Sequence, residues 1–133
     1  MRKIALVLAS AAALLTAPAL QAKERLTGEQ QLAKLLEGRE AGEPVNCIPH
    51  SSTREARIID KTAIVYDWGN VIYVNRPDQA SDLDDDDIMV TTLHGSQLCS
   101  VDVVRMHDRS SFFYSGFVGL NKFVPYRRVA QNN

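Results

Sequence analysis

Two β-branched and aromatic runs, 62–68 (TAIVYDW) and 71–76 (VIYVNR), meet at Gly69-Asn70, and no other feature restricts the fold of this chain so tightly. A two-residue Gly-Asn connection between strand-forming runs predicts a tight β-hairpin. Its central segments, Ala63-Ile64-Val65-Tyr66 and Val71-Ile72-Tyr73-Val74, are apolar at consecutive positions. A sheet with one wet face would alternate apolar with polar, so these strands should be covered on both faces.

Further strand candidates surround the hairpin. Residues 57–60 precede it, and 88–93, 98–106, 111–118 and 123–129 follow, separated by Gly95-Ser96 and by Asp108-Arg109-Ser110. Within 98–106, Val101 and Val103 alternate with Asp102, which suggests a strand with one wet side. Gly116 and Gly119 inside an aromatic run suggest a bulge or a close backbone approach. Residues 42–47 and 77–87 read as loops. One helix is expected at 28–37: Thr27 caps it, Gln30 completes a capping box, Leu32, Leu35 and Leu36 line one face, and Gly38 stops it. Isolated helices this short are marginal, so the leucine stripe must dock on a sheet. The predicted fold is mainly β (α+β), a small antiparallel meander sheet or barrel with one N-terminal helix.

Residues 1–22 read as a secretory signal peptide. Arg2 and Lys3 form the positive start, an uncharged run of 12 residues follows from Ile4 to Leu15, and Leu20-Gln21-Ala22 is a small-residue cleavage site before Lys23. A cut after Ala19 is the second option. An uncleaved anchor is the competing reading, because 4–22 carries no charge; Pro18 and the alanine-rich tail argue for cleavage. No cysteine stands near the junction for lipid attachment. The remainder, 23–133, fits a single small mainly-β domain of the periplasm or medium, with no second apolar run of spanning length. The 15 bases less Arg2 and Lys3 leave 13 against 16 acids, a formal charge of −3. That excludes the basic footprint of a nucleic-acid binder.

Cys47 and Cys99 are the only cysteines. In an oxidising compartment two thiols in a small domain most simply form one disulfide, the alternatives being two buried thiols or a reactive pair. A sharper rival is zinc, since Cys47, His50, His94 and Cys99 together make a tetrahedral ligand set, although the His94-to-Cys99 spacing departs from the usual pairs. His107 has no nucleophile motif beside it and reads as a strand-end histidine. In the acidic stretch 82–87, Asp82, Asp84 and Asp86 have the alternate spacing of a calcium loop, but Asp87 stands at the glycine position and Leu93 at the glutamate position. A solvated, self-repelling loop is expected there.

Catalytic signatures are missing. The serines of Gly95-Ser96-Gln97 and Tyr114-Ser115-Gly116 lack a nucleophile elbow, and no paired carboxylates or metal motif stand elsewhere. The reading therefore calls for no catalytic residue and no cofactor. Tyr66, Trp68, Tyr73 and the Phe112-Phe113-Tyr114 run could line a ligand groove, but aromatics at strand spacing more commonly build the core. Tyr126-Arg127-Arg128 is a modest candidate for meeting an acidic partner.

Taken together, Cys47-Ile48, Arg57-Ile58-Ile59-Asp60, Tyr73-Val74-Asn75-Arg76-Pro77, Gln97-Leu98-Cys99, Asp102 and Phe123-Val124-Pro125-Tyr126 resemble an uncharacterised family of small exported bacterial proteins, a domain of unknown function. The similarity covers about residues 45–127. Many members of that family carry two further cysteines, in the regions corresponding here to 78–83 and 117–120. Both are absent from this chain together, which implies that those two pair with each other and that Cys47 pairs with Cys99. The resemblance implies export and fold but names no activity. The expected role is that of a binding or structural module of the cell envelope, with an enzyme inhibitor and a cation- or small-ligand-binding protein as alternatives.

Overall fold

The computed structural model describes residues 24–130, so the signal-peptide segment 1–22 and both candidate cleavage sites lie outside the described residues. Among those described, one α-helix, α1 (Gly28–Leu35), precedes ten strands: β1 (Arg39–Ala41), β2 (Cys47–Pro49), β3 (Ala56–Ile59), β4 (Ala63–Trp68), β5 (Val71–Asn75), β6 (Asp87–Thr91), β7 (Gln97–Cys99), β8 (Val103–Asp108), β9 (Tyr114–Gly119) and β10 (Phe123–Arg128). The protein is mainly β. All pairings are antiparallel, in three sheets ordered β1-β10-β5-β4-β3, β2-β7 and β6-β8-β9. The strands therefore do not form one continuous meander: only β3-β4-β5 and β8-β9 run as consecutive neighbours, and β10 returns from the chain's end to lie beside β5.

The central hairpin is as its sequence demands. Gly69 takes the left-handed φ of 67° that a two-residue turn requires, and Trp68 faces Val71 across it. The carbonyls of Gly69 and Asn70 accept hydrogen bonds from the Arg39 guanidinium, which ties the turn to β1. Alternation sorts the two strands without exception. Ala63, Val65, Ile72 and Val74 face α1, packing with Leu32 and the partly buried Leu35 and Leu36. Ile64, Tyr66, Val71 and Tyr73 face the other way, into a larger core shared with Ile48, Leu98, Val104, Met106, Val118 and Phe123 of the smaller sheets and β10. The five-stranded sheet is thus a middle layer, which is why its strands are apolar on both sides.

The Thr27–Gln30 capping box is complete, with Gln30 N–H donating to Thr27 Oγ1 at 3.3 Å and Thr27 N–H to Gln30 Oε1 at 2.9 Å. Gly28 opens the helix because nothing larger fits: a Cβ there would lie 2.0 Å from Thr62 Oγ1 and 2.4 Å from the Asp60 carbonyl oxygen.

The structure departs from the sequence expectation at three places. The 98–106 run is two strands in different sheets, because Asp102 turns the chain between them: its carboxylate accepts from Cys99 N–H at 2.7 Å and its own N–H donates to the Cys99 carbonyl at 3.0 Å. The 42–47 loop is broken by a bridge in which Val45 and Phe123 exchange both backbone hydrogen bonds, and β2 begins at its last residue. β1, whose Arg-Glu-Ala sequence carries no strand pattern, is recruited by pairing with β10.

Asn75 is fully buried, and its amide bonds the backbone of Asn121 on both sides, donating to the carbonyl and accepting from the N–H at 3.1 Å. This fastens the connection into β10. Asn75→Ala should lower stability by about 1–3 kcal/mol, because it removes the partner of two part-buried backbone groups of Asn121. Urea unfolding checks it, and an unchanged midpoint would show that the pin carries nothing.

Candidate functional site

Cys47 and Cys99 form a disulfide, in keeping with an oxidising compartment. Their strands explain why they meet. The Ser100 N–H donates to the Asn46 carbonyl and the His50 N–H to the Ser96 carbonyl, so the intervening Cys47–Cys99 and Pro49–Gln97 pairs are the non-hydrogen-bonded ones. Side chains approach most closely at such pairs, and Pro49 loses no ladder bond there. With both sulfurs in the bridge, the zinc set of Cys47, His50, His94 and Cys99 has no thiolate to offer. His50 instead begins a 3-10 turn, with Thr53 Oγ1 donating to its carbonyl at 2.7 Å.

The acidic stretch is likewise tied into the structure. Asp84 accepts from the Asp86 N–H, Asp87 accepts from the Ser115 hydroxyl at 2.7 Å, and Arg109 donates to the carbonyls of Asp86 and Asp87 and pairs with the Asp86 carboxylate at 3.5 Å. The calcium-loop trio Asp82, Asp84 and Asp86 is not brought together. The carboxylates that do converge among the described residues are Asp60, Asp84 and Asp85.

The aromatic candidates separate into two groups. Tyr66 and Tyr73 are core residues, whereas Trp68 is half-exposed and the run before and within β9 points outward, contrary to the expectation of a core role for it. Phe112 is 70 % exposed, Phe113 77 %, Tyr114 57 % and Phe117 60 %. All four belong to the β8–β9 hairpin, at the edge of its sheet. On the outer face Phe117 lies opposite Arg105, which lies opposite the exposed Val90 of β6. The register shifts between Met106 and His107, where Ser115 is the extra residue and Gly116 adopts a φ of 154°, the bulge that the glycine suggested.

The turn presenting these rings is held by a set of hydrogen bonds to one side chain. One oxygen of the Asp108 carboxylate accepts from the Ser110 hydroxyl at 2.6 Å, the Ser111 hydroxyl at 2.7 Å and both serine N–H groups. The hydroxyls of Ser110 and Ser111, with the Ser111 amide, hold the Asp108 carboxyl well below the usual aspartate range, so it stays ionised. Backbone bonds join Asp108 to Phe112 and Phe113, and His107 meets Tyr114 edge-on with ring centres 5.9 Å apart. Phe112 is held at a φ of 60°, a costly conformation for a bulky side chain. Strain of this kind persists only where the surroundings enforce it, and it gathers at functional sites.

No family model, curated protein or solved structure matches the chain. No helix among the described residues is long and apolar enough to cross a membrane.

Proposed function

We propose that this protein is an exported, non-catalytic binding module of the bacterial cell envelope that engages a protein partner through its β8–β9 hairpin. The carrying observation is the cluster of four exposed aromatic side chains on one hairpin, set on a turn held by a single carboxylate. Exposed aromatic clusters of this kind mark interaction sites, and a preformed loop loses little conformational entropy on binding. The signal-like segment 1–22, the disulfide and the resemblance to an exported family of unknown function support the compartment. A preformed, strained loop is also what an enzyme inhibitor needs, and a stable complex with one envelope enzyme would select that form of the reading.

The test compares the protein with Phe112→Ser/Phe113→Ser. Both rings are solvated, so the double variant should unfold within about 0.5 kcal/mol of the parent. Cross-linking in the native envelope, followed by mass spectrometry, should yield a specific partner for the parent and lose it for the variant. Equal recovery of the same partner by both would overturn the hairpin, and intact mass in the periplasmic fraction should show an N-terminus at Lys23 or Leu20.

A further inference from the structure

A cleft of about 480 Å³ lies between β3 with its preceding 3-10 turn and β6, and touches the aromatic hairpin at Arg109 of its turn. Each of these strands ends its own sheet: β3 closes the five-stranded sheet and β6 the three-stranded one. Among the described residues no ladder or backbone hydrogen bond joins them. The outer side of an edge strand carries main-chain donors and acceptors that its own sheet does not pair. Here two such edges border one space.

The side chains around that space differ from wall to wall. His50, Arg54 and Arg57 stand on the β3 side, and Asp85 and Asp87 on the β6 side together with Arg109, which is bonded to the carbonyls of Asp86 and Asp87. Arg57 is engaged by Asp67 at 3.6 Å, but Arg54 makes no ion pair among the described residues. Between the walls, Ile58, Met89 and Leu93 continue the interlayer core to the opening. Tyr66 lines the same cleft, and although only 2 % exposed, its hydroxyl has no hydrogen-bond partner. Burial pushes the hydroxyl's pKa up, leaving it a protonated donor. Buried hydroxyls are almost always paired, so an unpaired one behind the wall of an open cleft points to a group that enters as that wall gives way, the Ser52 hydroxyl of the neighbouring 3-10 turn being unpaired in the same way.

We propose that this cleft binds a segment of another polypeptide in extended conformation, laid between β3 and β6 as an added strand. A small anion would satisfy Arg54 and Tyr66 but leave both edges unpaired. A cation would suit Asp85 and Asp87 but face Arg54 and Arg57. An extended peptide supplies alternating amide donors and acceptors to both edges, and its side chains alternate between the two faces. One set is apolar and enters over Ile58 and Met89, with a polar atom of the segment accepting from Tyr66. Flanking positions carry an acid toward Arg54 and a base toward Asp85. This site shares Arg109 with the β8–β9 turn but includes none of the four exposed aromatic residues.

Selection of a linear heptapeptide library on the purified, disulfide-bonded protein supplies the probes, which are then resynthesised with N-methyl groups on alternate amides. Selected peptides should shift the amide resonances of β3 and β6, and N-methylation along one edge should weaken binding at least tenfold. Tyr66→Phe should lower affinity about tenfold, equivalent to about 1.4 kcal/mol, without lowering the melting temperature of the free protein. Phe112→Ser/Phe113→Ser should leave peptide affinity unchanged, separating this site from the exposed aromatic residues of the hairpin. The proposal is overturned if no peptide is selected, if N-methylated peptides bind as tightly as their parents, if the shifts map to β9, or if inorganic phosphate alone perturbs Arg54 and Tyr66 while peptides do not.

Discussion

Replacing both cysteines, Cys47→Ser with Cys99→Ser, should lower stability by about 2–5 kcal/mol, the usual consequence of losing a native bridge from a small exported domain. The bridge spans a sequence separation of 52 residues, which in the chain-entropy account of the unfolded state corresponds to about 4 kcal/mol. Its position sharpens the expectation. It joins β2 and β7, three-residue strands that form a sheet of two, and a two-stranded sheet this short is scarcely stable alone. Ile48 and Leu98, fully buried beside the cysteines, reach the main core only if that small sheet holds. Urea unfolding of the oxidised protein, the reduced protein and the double variant should give one high midpoint and two similar low ones. A chelator should change none of them. Coincident midpoints for all three would show that packing alone holds β2 against β7, and two free thiols with bound zinc in the purified protein would replace the bridge by the metal site.

Truncating Phe123 should be comparably severe. Phe123→Ala is expected to cost about 3–5 kcal/mol, the transfer energy of a fully buried ring together with the cavity it leaves. The ring packs edge-on against Tyr66, with centres 5.7 Å apart, and the same residue carries the backbone exchange with Val45 that leads into β2. It therefore stands where the five-stranded sheet, β10 and the disulfide-linked pair adjoin. Phe123→Leu should cost clearly less, since much of the volume remains. Urea unfolding with unchanged m-values measures both, and a loss below about 1 kcal/mol for the alanine variant would mean that the site collapses freely and is no keystone.

Both predictions concern parts of the protein with unequal visibility in the sequence. The β4–β5 hairpin was legible because a turn dipeptide and its flanking strands are neighbours in the chain, and α1 because a capping box is an exchange between residues three apart. The disulfide was legible from cysteine number and the oxidising compartment that the sequence led one to expect, without any knowledge of which strands would align the two residues. In the candidate site, the bulge was signalled by Gly116, but the exposure of Phe112, Phe113, Tyr114 and Phe117 was not. Alternation tells which residues share a face of a strand and does not tell whether that face is covered.

What the amino-acid order determined by itself was local: the central hairpin, the capped helix, the mainly β character and the presence of one cysteine pair. Tertiary structure alone decided the rest. Arg39–Ala41 became a strand because β10 offered it an edge, Asp102 became a turn between two sheets rather than a wet strand position, and β3 and β6 came to border one cleft although long separated in the chain. Each of these depends on pairing between distant segments, whose partner and register are set by how the apolar faces of three sheets pack around a common core.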